Sequence, residues 1–129
     1  MILIDTSAWI DFFRGRGQLA ASVDGLLEAD EAALCGPILT ELRRGLRSAH
    51  ERANVLSLLL GCHALDQPDA LWDEAGELGY WLARRGTVVK SMDLLIAVYA
   101  IAHSVPVLTG DRDFTAMKRA GIALSLAEP

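Results

Sequence analysis

This chain has 129 residues, of which 52% are hydrophobic, so it can bury one sizeable core. A disordered chain is therefore excluded, and we expect a single domain spanning 1–129. No apolar stretch is long enough to cross a membrane without a charge, and Asp5 and Asp11 interrupt the N-terminal apolar run that a signal peptide would need, so we expect a cytoplasmic protein. The net charge of −5 at pH 7 argues against a nucleic-acid binder that depends on a basic field over its whole surface.

Short apolar runs alternate with helical patterns along the chain, which predicts βαβ units, an α/β fold and a mainly parallel sheet. In chain order we expect a strand at 2–5, helices at 8–13 and 18–29, a strand at 31–35, helices from 37 and at 50–60, a strand at 63–65, helices at 70–85 and 92–103, a strand at 105–108, a helix at 114–120 and a strand at 122–126. Ser7, Asp69 and Ser91 are candidate N-caps, because their side-chain oxygens can accept hydrogen bonds from free backbone N–H groups.

Five carboxylates stand beside the ends of these elements. Asp5 and Asp111 each follow an apolar run, and ligands collect at the carboxyl ends of parallel strands in an open α/β sheet. Asp93 stands in the first turn of a helix that is apolar nearly all round, and Glu41 lies at the edge of a buried helix face. Together with Asp113, these acids are placed to converge at one end of a single sheet.

Converging carboxylates repel one another, which raises their pKa values unless a cation is present. Oxygen-only ligands without nearby His or Cys favour Mg²⁺ or Mn²⁺ over zinc, and Cys35 and Cys62 are expected to be free thiols. Two such ions can activate water and stabilise the leaving oxygen in phosphodiester cleavage. They would also cancel most of the net charge, so that nucleic acid could approach along local basic segments such as Arg43–Arg44 and Lys90.

Other interpretations of the acids remain open. Taken singly, Asp5 could form an Asx turn, Asp93 could interact with the helix dipole, and Asp111 could cap a helix. A phosphatase of the haloacid-dehalogenase kind also places an Asp after its first strand, but here Ser7 stands where that class carries a second Asp. A third alternative is a non-catalytic module whose acids bind the basic tail of a partner.

Four segments carry a resemblance to a known family. They are Ile2–Trp9 (ILIDTSAW), Thr40–Leu42 (TEL), Asp93–Ala97 (DLLIA) and Leu108–Phe114 (LTGDRDF). These segments resemble the acidic motifs of a PIN domain. Their order and spacing are similar to those of VapC-type toxins of bacterial type II toxin–antitoxin pairs, over essentially the whole chain.

The resemblance implies a three-layer α/β/α PIN-like fold and an endoribonuclease that depends on Mg²⁺ or Mn²⁺. It assigns catalysis and metal binding to a quartet of acids, namely Asp5, Glu41, Asp93 and Asp111. It gives supporting roles to Asp113 and to the hydroxyl side chains of Thr6, Ser7 and Thr109. Candidate RNA contacts are Arg43, Arg44, Lys90 and Arg112. The implied partners are an RNA substrate, a cognate antitoxin and a second copy of the chain in a homodimer.

Overall fold

The structure, a computed structural model, describes residues 1–129 and contains four strands and seven helices. In chain order the elements are β1 (Ile2–Ile4), α1 (Thr6–Arg14), α2 (Gln18–Glu28), β2 (Ala32–Leu34), α3 (Gly36–Arg44), α4 (Ala49–Leu59), β3 (His63–Ala64), α5 (Leu71–Arg84), α6 (Ser91–His103), β4 (Val107–Leu108) and α7 (Arg112–Arg119). All paired strands are parallel, in the order β3-β2-β1-β4. The predicted mainly parallel sheet and three-layer α/β/α arrangement are confirmed.

The central position of β1 brings the two acid-bearing strand ends together. Leu3 pairs with Ala33 of β2 on one side and with Val107 of β4 on the other. Beyond this register, the backbone N–H of Asp5 donates to the carbonyl of Leu108 at 3.0 Å. The segments that follow β1 and β4 therefore leave the sheet side by side, as the strand-end argument requires.

The core lies on both faces of this sheet, because residues of β1 and β4 are buried whichever way their side chains point. Trp9 of α1 and Phe114 of α7 are fully buried, and each such side chain contributes roughly 1.5–3 kcal/mol by leaving water. Helix α6 is buried along most of its length, as its apolar sequence predicts. None of the helices combines the length and apolar character needed to span a membrane.

Three predicted helix caps are wrong. Asp5, rather than Ser7, is the N-cap of α1, because its side chain accepts from the backbone N–H of Ser7 and the helix already begins at Thr6. The N-cap of α5 is Ala70, without a side-chain bond, because a turn separates Asp69 from the helix. Ser91 is already the first residue of α6, and the N-cap is the extended Lys90.

The predicted last strand at 122–126 is also wrong. Its only sheet contact is a single bridge between Leu126 and Val107. The backbone N–H of Leu124 donates to the carbonyl of Ile122 at 2.8 Å, and this tight turn interrupts the extended conformation that a strand needs. The chain beyond α7 consequently adds no fifth strand to the sheet.

Two glycines of α5 allow a matched stability prediction. A Cβ built on Gly79 would lie 2.8 Å from Cδ1 of Leu94 in α6, whereas a Cβ on Gly76 meets nothing within 4 Å. Gly76→Ala is expected to stabilise the protein by about 0.5–1 kcal/mol through helix propensity. Gly79→Ala gains the same propensity, but the end of the Leu94 side chain must move aside, so this variant should be less stable than Gly76→Ala by about 0.5–1.5 kcal/mol. Urea unfolding of both variants measures the difference, and equal stabilities would contradict the close helix contact.

Candidate metal centre at the carboxyl end of the sheet

Three carboxylates form a compact group, which we call the acidic trio: Asp93, Asp111 and Asp113. One carboxylate oxygen from each lies within 4.8 Å of the others. Asp93 comes from the first turn of α6, while Asp111 is the N-cap of α7 and Asp113 lies in its first turn. The trio therefore forms where two helices start beside the end of β4, and both helix dipoles favour negative charge there.

Asp93 is the member of the trio whose negative charge is most strongly disfavoured by its surroundings. It is 5% exposed, and its Oδ2 atom is buried without a hydrogen-bond partner. Burial raises the pKa of Asp93 to about 8, helped by a hydrogen bond with Asp113 and by the negative charges of Asp111 and Asp5. A buried carboxylate oxygen that lacks a donor, beside two further carboxylates, fits a hard divalent cation such as Mg²⁺ or Mn²⁺.

Asp5 lies beside the trio and is held by hydroxyl groups. It is 3% exposed, and its Oδ2 accepts hydrogen bonds from Ser7 Oγ and Thr109 Oγ1, both at 2.8 Å. The backbone N–H of Ser7 donates to the same oxygen at 3.4 Å. These bonds offset part of the cost of burying the carboxylate and fix its orientation.

The same two hydroxyls tie the end of β1 to the loop after β4. Ser7 Oγ accepts from the backbone N–H of Gly110 at 2.9 Å, and Thr109 Oγ1 accepts from that of Asp111 at 2.9 Å. The Asp111 carboxylate in turn accepts from the backbone N–H of Asp113 at 2.9 Å. Thr109 is thus a direct link between Asp5 and the backbone that carries Asp111.

Thr109→Val keeps the shape of the side chain but removes the hydrogen bonds of the hydroxyl with Asp5 and Asp111, and its 3.3 Å contact with Ser7 Oγ. The Asp5 oxygen loses a donor and the Asp111 N–H loses its acceptor, so we expect Mn²⁺ affinity to fall about 10- to 100-fold. Thr109→Ser retains the hydroxyl and should retain most of the affinity. Calorimetric titration with Mn²⁺ compares the two variants, and equal affinities would show that the hydroxyl does not position these acids.

Glu41 reaches the site from α3, on the other side of Asp5. Thr6 Oγ1 donates to Glu41 Oε1 at 2.7 Å, and Thr6 directly follows Asp5 in the chain. Glu41 is partly exposed and lies outside the trio. The five acids thus divide into the trio and a flanking pair, and Asp113, to which the resemblance gives only a supporting role, lies within the trio.

The candidate RNA contacts differ in their placement. Lys90 lies at the site, with its Nζ 3.6 Å from Oδ2 of Asp111. Arg112, the first residue of α7, is exposed between Asp111 and Asp113. Arg43 and Arg44 are exposed in the last turn of α3 and form no salt bridge with any of the acids.

A groove of about 390 Å³ lies next to Glu41 and is not predicted from the sequence. It runs between α1 and α3–α4, and its lining includes Thr6, Ile10, Phe13, Glu41 and Leu42. Ile10 and Phe13 are 38% and 40% exposed. The signal was the near-continuous apolar run of α1, because apolar residues adjacent in a helix cannot all face one core.

The parallel sheet and the acidic site define an α/β protein with a candidate divalent-cation centre at the carboxyl ends of its strands, and comparisons identify its family. The pattern that describes the PIN domain matches residues 2–120. Two curated proteins, Ribonuclease VapC11 of Mycobacterium tuberculosis and VapC ribonuclease Mb1587 of Mycobacterium bovis, are each 40% identical to the chain over 124 residues, 92% of either sequence. The crystal structure of VapBC2 from Rickettsia felis, bound to a DNA fragment from its promoter, matches with a TM-score of 0.78 and 22% identity over 98% of each chain. The chain belongs to the PIN-domain family, among its VapC ribonucleases.

Proposed function

We propose that this protein is a divalent-metal-dependent endoribonuclease that acts as the toxin of a type II toxin–antitoxin pair. The observation that carries the proposal is the unpartnered, buried Asp93 Oδ2 within the acidic trio. The 40% identity to proteins named as VapC ribonucleases supports RNA as the substrate. Mg²⁺ and Mn²⁺ are the proposed cofactors because all candidate ligands are carboxylates.

The quartet Asp5, Glu41, Asp93 and Asp111 would hold the metal, directly or through water. A divalent cation supplies activation of water and neutralisation of the phosphate charge during hydrolysis of the RNA phosphodiester. The carboxylates orient the attacking water and serve as ligands, and none of them needs to act as a nucleophile. Asp113, through its place in the trio, adds negative charge beside Asp93 and Asp111.

Binding of RNA is assigned to four basic residues. They are Arg43, Arg44, Lys90 and Arg112. Their exposed positive groups can pair with backbone phosphates, which fixes the position of a strand without reading its sequence. The salt dependence of RNA binding should therefore be steep, even though the net charge of the protein is negative.

We propose that the cognate antitoxin covers the groove beside Glu41. The exposed Ile10 and Phe13 can receive apolar side chains of an antitoxin segment, and Arg14, Arg47 and Glu51 lie at its charged edge. A basic antitoxin side chain that reached past Glu41 would meet the acids of the site.

The proposed compartment is the cytoplasm. The family resemblance also implies a homodimer, and sedimentation velocity can test whether the protein forms one.

The test is cleavage of a 5′-labelled structured RNA by the purified protein. We expect cleavage with Mg²⁺ or Mn²⁺, loss of cleavage with EDTA, and recovery when the metal is restored. Cleavage that resists EDTA would contradict the proposed chemistry. Turnover of a small phosphate monoester instead of RNA would identify a phosphatase, and metal binding without turnover of any RNA would identify a binding module.

A further inference from the structure

Lys90 has a hydrogen-bonded backbone and a solvent-exposed side chain at the edge of the acidic trio. Its carbonyl oxygen accepts from the backbone N–H groups of Asp93 and Leu94, both at 3.1 Å, so the residue is anchored to the start of α6. Its side chain is 75% exposed, and its Nζ lies 3.6 Å from Oδ2 of Asp111. The ammonium group is therefore held near the trio by position but remains accessible to solvent.

The ammonium group is paired with Asp111, and the charges of the other two acids of the trio act on it over a longer distance. The charge of Asp111 raises the pKa of Lys90 most, followed by that of Asp93; burial opposes them, and the charge of Asp113 adds a smaller increase. No other salt bridge to the trio is present in the structure. Lys90 is thus the nearest positive charge that can balance these carboxylates.

The ion pair between Lys90 and Asp111 is weak enough for Lys90 to change its partner. Exposed pairs contribute little to stability, because water screens them and the flexible lysine loses side-chain entropy when it pairs. A divalent cation attracts the same carboxylates with twice the charge and repels the ammonium group. Metal and ammonium group therefore compete for Asp111.

We propose that Lys90 is the counter-ion of the acidic trio in the metal-free protein, that a divalent cation displaces it from Asp111, and that the displaced ammonium group then binds a phosphate of the RNA beside the cleaved bond. The last step rests on the proposed ribonuclease function, whereas the displacement does not. Lys90 acts here as a substrate-binding residue, and its flexible stem and compact charge suit a change of partner from carboxylate to phosphate.

The first experiment measures metal binding without RNA. The chain has only two lysines, so Lys118→Gln is a matched control that removes the same charge from the last turn of α7, away from the acids in its first turn. Calorimetric titration with Mn²⁺ should show binding to Lys90→Gln about three- to tenfold tighter than to the unmodified protein and to Lys118→Gln. Affinity of Lys90→Gln equal to or weaker than that of Lys118→Gln would overturn the displacement.

The second experiment measures RNA cleavage at saturating Mn²⁺. Lys90→Gln should raise KM for RNA about tenfold while Lys90→Arg restores it, because either cation can pair with a phosphate. An unchanged KM in Lys90→Gln, or an equal rise in Lys118→Gln, would overturn the role in RNA binding. A complete absence of cleavage by the unmodified protein would overturn the ribonuclease function, and the Mn²⁺ titration would still decide whether Lys90 is displaced.

Discussion

Asp93→Asn is expected to lower kcat/KM for RNA cleavage at least about a hundredfold and to weaken Mn²⁺ binding in parallel, because the charged ligand at the centre of the trio is lost. Asparagine keeps the shape of the side chain, so helix α6 should retain its position. The substitution also removes a carboxyl group that is destabilised by burial. Loss of activity should therefore occur without loss of the fold, which far-UV circular dichroism and thermal unfolding at pH 8.5 can establish.

A matched control exists on the neighbouring helix. Asp73 is the third residue of α5, as Asp93 is of α6, but it is exposed and does not belong to the trio. Asp73→Asn changes the same group at the same position relative to a helix dipole, worth about 0.3–1 kcal/mol, and should leave cleavage unchanged. Full activity in Asp93→Asn, or an equal loss in Asp73→Asn, would remove Asp93 from the metal centre.

Binding of Mn²⁺ is expected to strengthen roughly tenfold between pH 6.5 and pH 8.0, because a ligand must be deprotonated and Asp93 has a pKa of about 8 in the metal-free protein. Below that pH the Asp93 carboxyl holds a proton, which the metal must displace. Titration calorimetry in buffers with different ionisation enthalpies should therefore detect release of nearly one proton per ion at pH 6.5. In Asp93→Asn both the proton release and the steep pH dependence should disappear.

The raised pKa of Asp93 also determines how the stability of the metal-free protein changes with pH. The pKa of Asp93 is raised from 3.8, so the folded protein keeps this proton at pH values where the unfolded chain has lost it. The free energy of unfolding should therefore fall as the pH rises from about 4 to about 8, and Asp93→Asn should remove this contribution. The raised pKa would be contradicted if the free energy of unfolding of the metal-free protein changed with pH in the same way as that of Asp93→Asn.

Most elements could be predicted because their signals are local. The strand predicted at 2–5 and the nearly all-apolar segment at 92–103 are found as β1, which ends at Ile4, and α6, since burial on several sides requires apolar runs wherever they occur. The prediction of a strand at 122–126 was wrong because of a local backbone turn. Its apolar residues suit a strand, but the turn between Ile122 and Leu124 prevents extended pairing, and composition does not report backbone turns of this kind.

The sequence alone determined the residue types of the site, because acids that follow strands or lie in the first two turns of the next helix are carried to the carboxyl edge of a parallel sheet. The tertiary structure alone decided how those acids are grouped. It joined Asp113 to Asp93 and Asp111, bonded Thr6 to Glu41 across 35 residues, and set Lys90 against Asp111. Such contacts depend on strand order and register, which place residues distant in the chain within a few ångströms, and no local pattern encodes those distances.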